Sequence, residues 1–162
     1  MNTKLLGMMT ALALLGACSS SNTDQTSATA GGGAATSGTG AGPRPGSQED
    51  LVANVGDRVF FDTDRSSIRA DGRTVLDRQS QWLGRFPQVQ VMVEGHADER
   101  GTREYNLALG QRRANAARDV LVAGGVSSAR IQTISYGKDR PAALGSSEDA
   151  WAQNRRAVTV VR

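Results

Sequence analysis

The chain has 162 residues, of which 38% are hydrophobic, only 4% are aromatic and 19 are glycine, so part of it lacks the side chains that a packed core requires. Nineteen Lys and Arg against 16 Asp and Glu leave a formal charge of +3, too small an excess to make the basic patch on which nucleic-acid binding depends. A single cysteine excludes an intramolecular disulfide and a multi-cysteine zinc site, a single histidine argues against an imidazole metal centre, and no cofactor is expected.

Met1 to Lys4 carries one positive charge, and Leu5 to Ala17 carries none. That pattern fits a secretory signal peptide over 1–17 and is too short for a bilayer span, which needs about 20 apolar residues. Its last four residues, Leu15-Gly16-Ala17-Cys18, resemble the bacterial lipobox, after which Cys18 would become a lipidated N-terminus. Acyl chains, at about 0.8 kcal/mol per buried methylene, would make that anchor effectively permanent. Ser19 stands where an aspartate would signal retention at the inner membrane, so the expected location is the periplasmic face of a Gram-negative outer membrane.

Ser19 to Ser47 holds only Ser, Thr, Gly, Ala, Pro and four other polar residues. Such a segment cannot bury enough apolar surface to offset its ordering entropy. It predicts a flexible linker over 18–49, with an r.m.s. span of about 30 Å. The head domain is expected over 50–162.

Within the head, Arg58 to Phe61 predicts a first strand, and Asp71 to Phe86 a helix with Val75, Leu76, Gln79, Trp82 and Leu83 on one stripe, stopped by Pro87. Val89 to Val93 alternates as a strand. A second helix is expected from Arg103 to Ala123, with Thr102 as N-cap and Gly124-Gly125 as stop. Ile131 to Tyr136 predicts a third strand, Ser146 caps a short helix, and Ala157 to Val161 closes the series. The order β-α-β-α-β-α-β points to an α+β or α/β sandwich with helices on one sheet face.

The chemistry concentrates between the second strand and the second helix. Asp98 lies in the loop at the strand's carboxyl end, while Asn106 and Arg113, seven apart, share one helix face two turns apart. Asp98 and Arg113 either face one pocket suited to a zwitterion, Arg taking a carboxylate and Asp an ammonium, or simply form a salt bridge. His96, with Glu94, Asp98 or Glu99 nearby, either serves as a catalytic base or orders its loop through hydrogen bonds. Glu94 and Asp98 also make a carboxylate pair of the kind that cleaves glycans. No G-x-S-x-G nucleophile motif occurs. Arg112 reads as a solvated helix residue, and Asn154, Arg155 and Arg156 as contacts of either a ligand or solvent.

The run VEGHADERGTREYNLALGQRRANA, with FFDTD before it and ISYGKDRP and QNRRAV after it, closely resembles the OmpA-like peptidoglycan-binding domains over residues 58–162. The lipobox and polar linker resemble the lipid-anchored members of that family. The resemblance implies an α+β βαβαβ(α)β sandwich, helices packed on a mixed four-stranded sheet. It implies non-covalent binding of the diaminopimelate in the peptidoglycan stem peptide, with Asp98 and Arg113 gripping the zwitterionic end and Asn106 lining the same site. Phe61, Asp62 and Thr63 border it. Peptidoglycan, TolB above all, and TolA are the partners implied, in envelope integrity and cell division, and no enzymatic activity is implied. Two alternatives stand beside this: a lipid-anchored peptidoglycan hydrolase, and an OmpA-like lipoprotein of a secretion apparatus without Tol partners.

Overall fold

Nine elements follow one another in the computed structural model, which describes residues 42–162. Cys18 and most of the expected linker lie outside the described residues. Helix α1 spans Gln48–Asn54, strand β1 Arg58–Phe60, helix α2 Ala70–Arg85, strand β2 Val91–His96 and helix α3 Arg103–Ala123. A 3-10 turn at Ser128–Arg130 leads into β3, Ile131–Gly137, followed by α4, Glu148–Asn154, and β4, Arg156–Val161.

The strands form one sheet in the order β1-β4-β2-β3. β2 and β3 are parallel, and β4 runs antiparallel to both β1 and β2. Parallel neighbours need a long crossover, which the 21 residues of α3 supply. The sheet is therefore mixed and four-stranded, as the resemblance implied.

Alternation along the strands sends one set of side chains to the helices. Val59, Val91, Val93, Ile131 and Ala157 are buried there against Leu76, Trp82 and Leu83 of α2 and Ala114, Ala117 and Leu121 of α3. Each large aliphatic side chain so buried contributes about 1.5–3 kcal/mol. α2 and α3 both pack on this face and on each other.

α1 was not legible as an element, because Leu51 is its one buried residue and a single apolar side chain sets no period. Its support is tertiary. Ser47 accepts from the Asp50 N–H, Trp82 Nε1 donates to Asp50 Oδ2 at 3.0 Å, and Gln48 Oε1 accepts from the Val161 N–H at 2.7 Å. Several strand and helix ends shift by one to three residues, and two of the changes have a clear local cause. β2 starts at Val91 rather than Val89, because the Val89 N–H turns back to the Phe86 carbonyl. The cap of α4 is Ser147, which accepts from the Ala150 N–H, and not Ser146.

One polar side chain in the core is fully employed. Gln79 donates to the Gly56 carbonyl at 2.7 Å and accepts from Thr159 Oγ1 at 2.8 Å. Gln79→Leu would leave the buried Thr159 hydroxyl and the half-buried Gly56 carbonyl unsatisfied, and should lower stability by about 2 kcal/mol. Urea unfolding checks this.

Candidate functional site

The site begins with a close approach of backbones. α3 crosses β2 where Gly95 faces Gly110, and a Cβ on Gly95 would meet the Gly110 carbonyl carbon at 2.6 Å. Only glycine admits that spacing. It seats the first half of α3 over the carboxyl ends of β2 and β3. Thr102 then caps α3 by accepting from the Tyr105 N–H, and Asn106 Nδ2 ties the preceding loop by donating to the Arg100 carbonyl at 2.8 Å.

A cavity of about 300 Å³ opens at this junction. Asp98, Asn106, Arg113 and Thr63 all line it, so the structure brings these four expected residues together. Asp64, Arg100 and Tyr105 join them there.

Arg113 forms the floor and is 0% exposed. Its guanidinium donates to three carbonyls: Nε to Arg65 at 2.8 Å, Nη1 to His96 at 2.8 Å and Nη2 to Asp62 at 3.1 Å. The Phe61 ring lies 5.1 Å from the guanidinium carbon. Burial pushes the Arg113 pKa down to about 10, so the group stays charged at neutral pH.

Asp98 is 7% exposed. Its Oδ1 accepts from the Arg100 N–H and Nε, and its Oδ2 from Arg100 Nη2 at 2.6 Å and Arg155 Nη1 at 3.4 Å. Burial by itself would raise this carboxyl; the bonds from Arg100, with help from Arg155, outweigh it and hold the pKa below the usual aspartate value. Asp98 and Arg113 do not pair with each other. The ion-pair partners of Asp98 are Arg100 and Arg155, and Arg113 spends three donors on carbonyls. The salt-bridge alternative is thus not what the fold builds: two opposite charges face one cavity, held apart by other partners.

The OmpA family matches residues 60–155, a stretch containing every residue of the cavity. A peptidoglycan-associated lipoprotein of Agrobacterium fabrum is 54% identical over 160 residues, covering 99% of this chain and 88% of that one. The chain belongs to the OmpA family, among the peptidoglycan-associated lipoproteins. The Brucella melitensis relative of the same name is 61% identical over 117 residues, covering 72% of this chain and 70% of its own. A crystal structure of the peptidoglycan-associated lipoprotein from Burkholderia pseudomallei superposes with a TM-score of 0.66 at 42% identity, covering 70% of this chain and all of that one. The C-terminal domain of Helicobacter pylori MotB, at 23% identity and a TM-score of 0.61, shares the fold.

In this OmpA-family head the remaining candidates take supporting places. Phe61 and Asp62 do not line the cavity: Phe61 lies beside the Arg113 guanidinium, Asp62 offers it a carbonyl, and the Asp62 carboxylate is 3.7 Å from Arg69. Arg112 is exposed, as expected. Asn154, Arg155 and Arg156 are all buried rather than solvated. Asn154 Oδ1 accepts from the Ala142 and Ala143 N–H groups and so fixes the loop before α4.

His96 corrects an expectation. Its ring nitrogens find no hydrogen-bond partner among the described residues, and Glu94 Oε2 lies 3.7 Å away; the loop is ordered instead through the His96 carbonyl, which accepts from Arg113. The ring is 2% exposed and does not line the cavity. Burial, with Arg156 and Arg140 nearby, pushes its pKa from 6.5 down to about 4. The unfolded chain therefore binds a proton that the folded one refuses between those values. Stability from this group is complete above about pH 6.5 and falls as pH drops towards 4, by roughly 3 kcal/mol in all. Urea unfolding at pH 7 and pH 4.5 should show that loss, and His96→Phe should flatten it.

Asp64 and Arg100 were not singled out from the sequence, and Arg155 was named there without its partner. Asp64 is the one non-glycine residue with positive φ among the described residues, at 58°, and its carboxylate accepts from the Tyr105 hydroxyl. Its place in the Asp-Thr-Asp turn is a usable signal, since Asp tolerates the left-handed region. Arg100, two residues from Asp98, is a local partner that spacing could have found. Arg155, 57 residues from Asp98, is brought to it by the tertiary fold alone.

Proposed function

We propose that this chain is an outer-membrane lipoprotein whose head binds peptidoglycan non-covalently through the diaminopimelate of the stem peptide. The observation that carries the proposal is the single cavity faced by a buried Arg113 and a buried Asp98 that are not paired to each other. Diaminopimelate presents an ammonium and a carboxylate on one carbon. Of the five N–H groups on a guanidinium, Arg113 commits three to carbonyls and keeps two for a carboxylate. Asp98 accepts the ammonium, and Asn106 and Thr63 complete the wall. The names of the relatives support peptidoglycan as the target and a lipid anchor.

Residues 1–17 serve as the signal peptide, Cys18 carries the lipid, the segment after it is the leash, and the head, expected from residue 50, starts two residues earlier with α1 at Gln48. Anchored on the periplasmic face of the Gram-negative outer membrane, the protein ties that membrane to the cell wall. Within the Tol-Pal system it meets TolB, and TolA, in envelope integrity and cell division. It is a binding protein rather than an enzyme: the one histidine is buried outside the cavity, which favours this reading over a hydrolase.

The test is sedimentation of the full chain with purified sacculi, with the supernatant assayed for muropeptides. Co-sedimentation without soluble fragments is expected; released fragments would support the hydrolase, and a chain left in the supernatant would refute the proposal. Retention of TolB by the immobilised chain separates the Tol role from that of a secretion-apparatus lipoprotein.

A further inference from the structure

We infer that Arg155 is the positioning residue of this site, holding the Asp98 carboxylate in place from outside the cavity. The inference rests on the reading of the cavity given above.

Two guanidiniums reach Asp98, and they differ in kind. The Arg100 side chain is 40% exposed; besides Asp98 it touches the Thr63 hydroxyl at 3.4 Å and lies 4.1 Å from the centre of the Trp151 ring. The Arg155 side chain is 7% exposed and is fastened in three directions. Its Nε donates to the Phe61 carbonyl at 3.1 Å, its Nη1 reaches Asp98 Oδ2 at 3.4 Å, and its Nη2 meets Glu148 Oε1 at 2.6 Å. Its own carbonyl accepts from the Phe61 N–H at 2.9 Å. Arg155 thereby joins the end of β1, the β2–α3 loop and the start of α4. It does not line the cavity but borders a separate cleft with Phe60, Phe61 and Arg69.

Every acceptor position on Asp98 is taken in this arrangement, so an incoming ammonium has to displace a donor. The Arg100 side chain is the one that can leave, because it is 40% exposed; its backbone N–H stays on Asp98 Oδ1. Once it yields, Arg155 is the remaining side chain that keeps a buried carboxylate from turning away or taking a proton. The other charges facing Asp98 are Arg113 from α3, Glu99 beside it in the loop, and Asp64 across the cavity.

Calorimetry of the full chain with free meso-diaminopimelate as probe, repeated from pH 7 down to pH 3, tests this. Arg155→Gln should weaken binding about tenfold and raise the pH at which binding is lost. Arg155→Lys, which keeps the charge but cannot reach three acceptors, should restore that pH while leaving affinity reduced. Asp98→Asn should abolish binding. Thermal melts run alongside. Should Arg155→Gln fail to fold, the folded Arg155→Lys protein decides the matter: wild-type affinity overturns the inference. Wild-type binding by folded Arg155→Gln, or an unmoved acid midpoint, also overturns it. Full binding by Asp98→Asn would instead sink the reading of the cavity itself.

Discussion

Arg113→Ala is expected to weaken peptidoglycan binding about a hundredfold and to cost about 3–5 kcal/mol of stability in the same molecule. The two losses share a cause. The guanidinium is wholly buried and serves as the common donor to the carbonyls of Arg65, His96 and Asp62. Those carbonyls belong to the loop after β1 and to the end of β2, so Arg113 is both the floor of the cavity and the clasp between its walls. Truncation orphans all three acceptors and removes the buried cation that lines the cavity. Arg113→Lys should recover little, since an ammonium at the end of a flexible stem cannot satisfy three diverging carbonyls and still present two donors outward. Calorimetry with meso-diaminopimelate and urea unfolding on the same preparations check the pair of effects. Lost binding with untouched stability would mean that the carbonyl clasp is not structural.

Gly95→Ala should be still more damaging to the fold. The added methyl would overlap the Gly110 carbonyl oxygen, with the carbonyl carbon 2.6 Å and the Gly110 Cα 3.1 Å away. Neither backbone can retreat: β2 is paired on both sides, to β3 and to β4, and α3 is packed on the sheet through Ala114, Ala117 and Leu121. An overlap with main chain is not relieved by a rotamer change, so α3 must lift. We expect a loss above about 4 kcal/mol, the size that marks a structural clash in a packed core. Lifting α3 also carries Asn106 and Arg113 away from the Asp98 loop, so any residual folded protein should bind poorly. Gly84→Ala provides the contrast. That glycine lies on an exposed part of α2 with nothing within 4 Å of the new methyl, and the substitution should stabilise by up to about 1 kcal/mol. Circular dichroism melts of the two variants give opposite signs.

The sandwich was legible because its longest elements obey simple periods. The stripe through Leu76, Gln79, Trp82 and Leu83 and the alternation through Val91 and Val93 each report the core face directly. α1 was not, since Gln48, Asp50 and Leu51 are held by partners in β4 and α2 rather than by any pattern of their own. Asp98, Asn106 and Arg113 could be placed together from spacing, because a strand end and two turns of helix fix their relation. What lay beyond reach was who neutralises whom. Asp98 meets Arg100 and Arg155, and Arg113 meets carbonyls, because side-chain partners across the chain depend on the pairing of β4 with β1 and β2. His96 misled for the same reason: its carbonyl, not its ring, is what the site uses.

The most direct measurement of the central claim is a pair of titrations of the full chain, one with meso-diaminopimelate and one with the same amino acid amidated at a single carboxylate. If Arg113 and Asp98 grip one zwitterion, amidation of the carboxylate beside the gripped ammonium should weaken binding about a hundredfold, and Arg113→Ala should add little to that loss. Equal affinity for the two ligands, or an Arg113→Ala protein that still distinguishes them, would contradict the account.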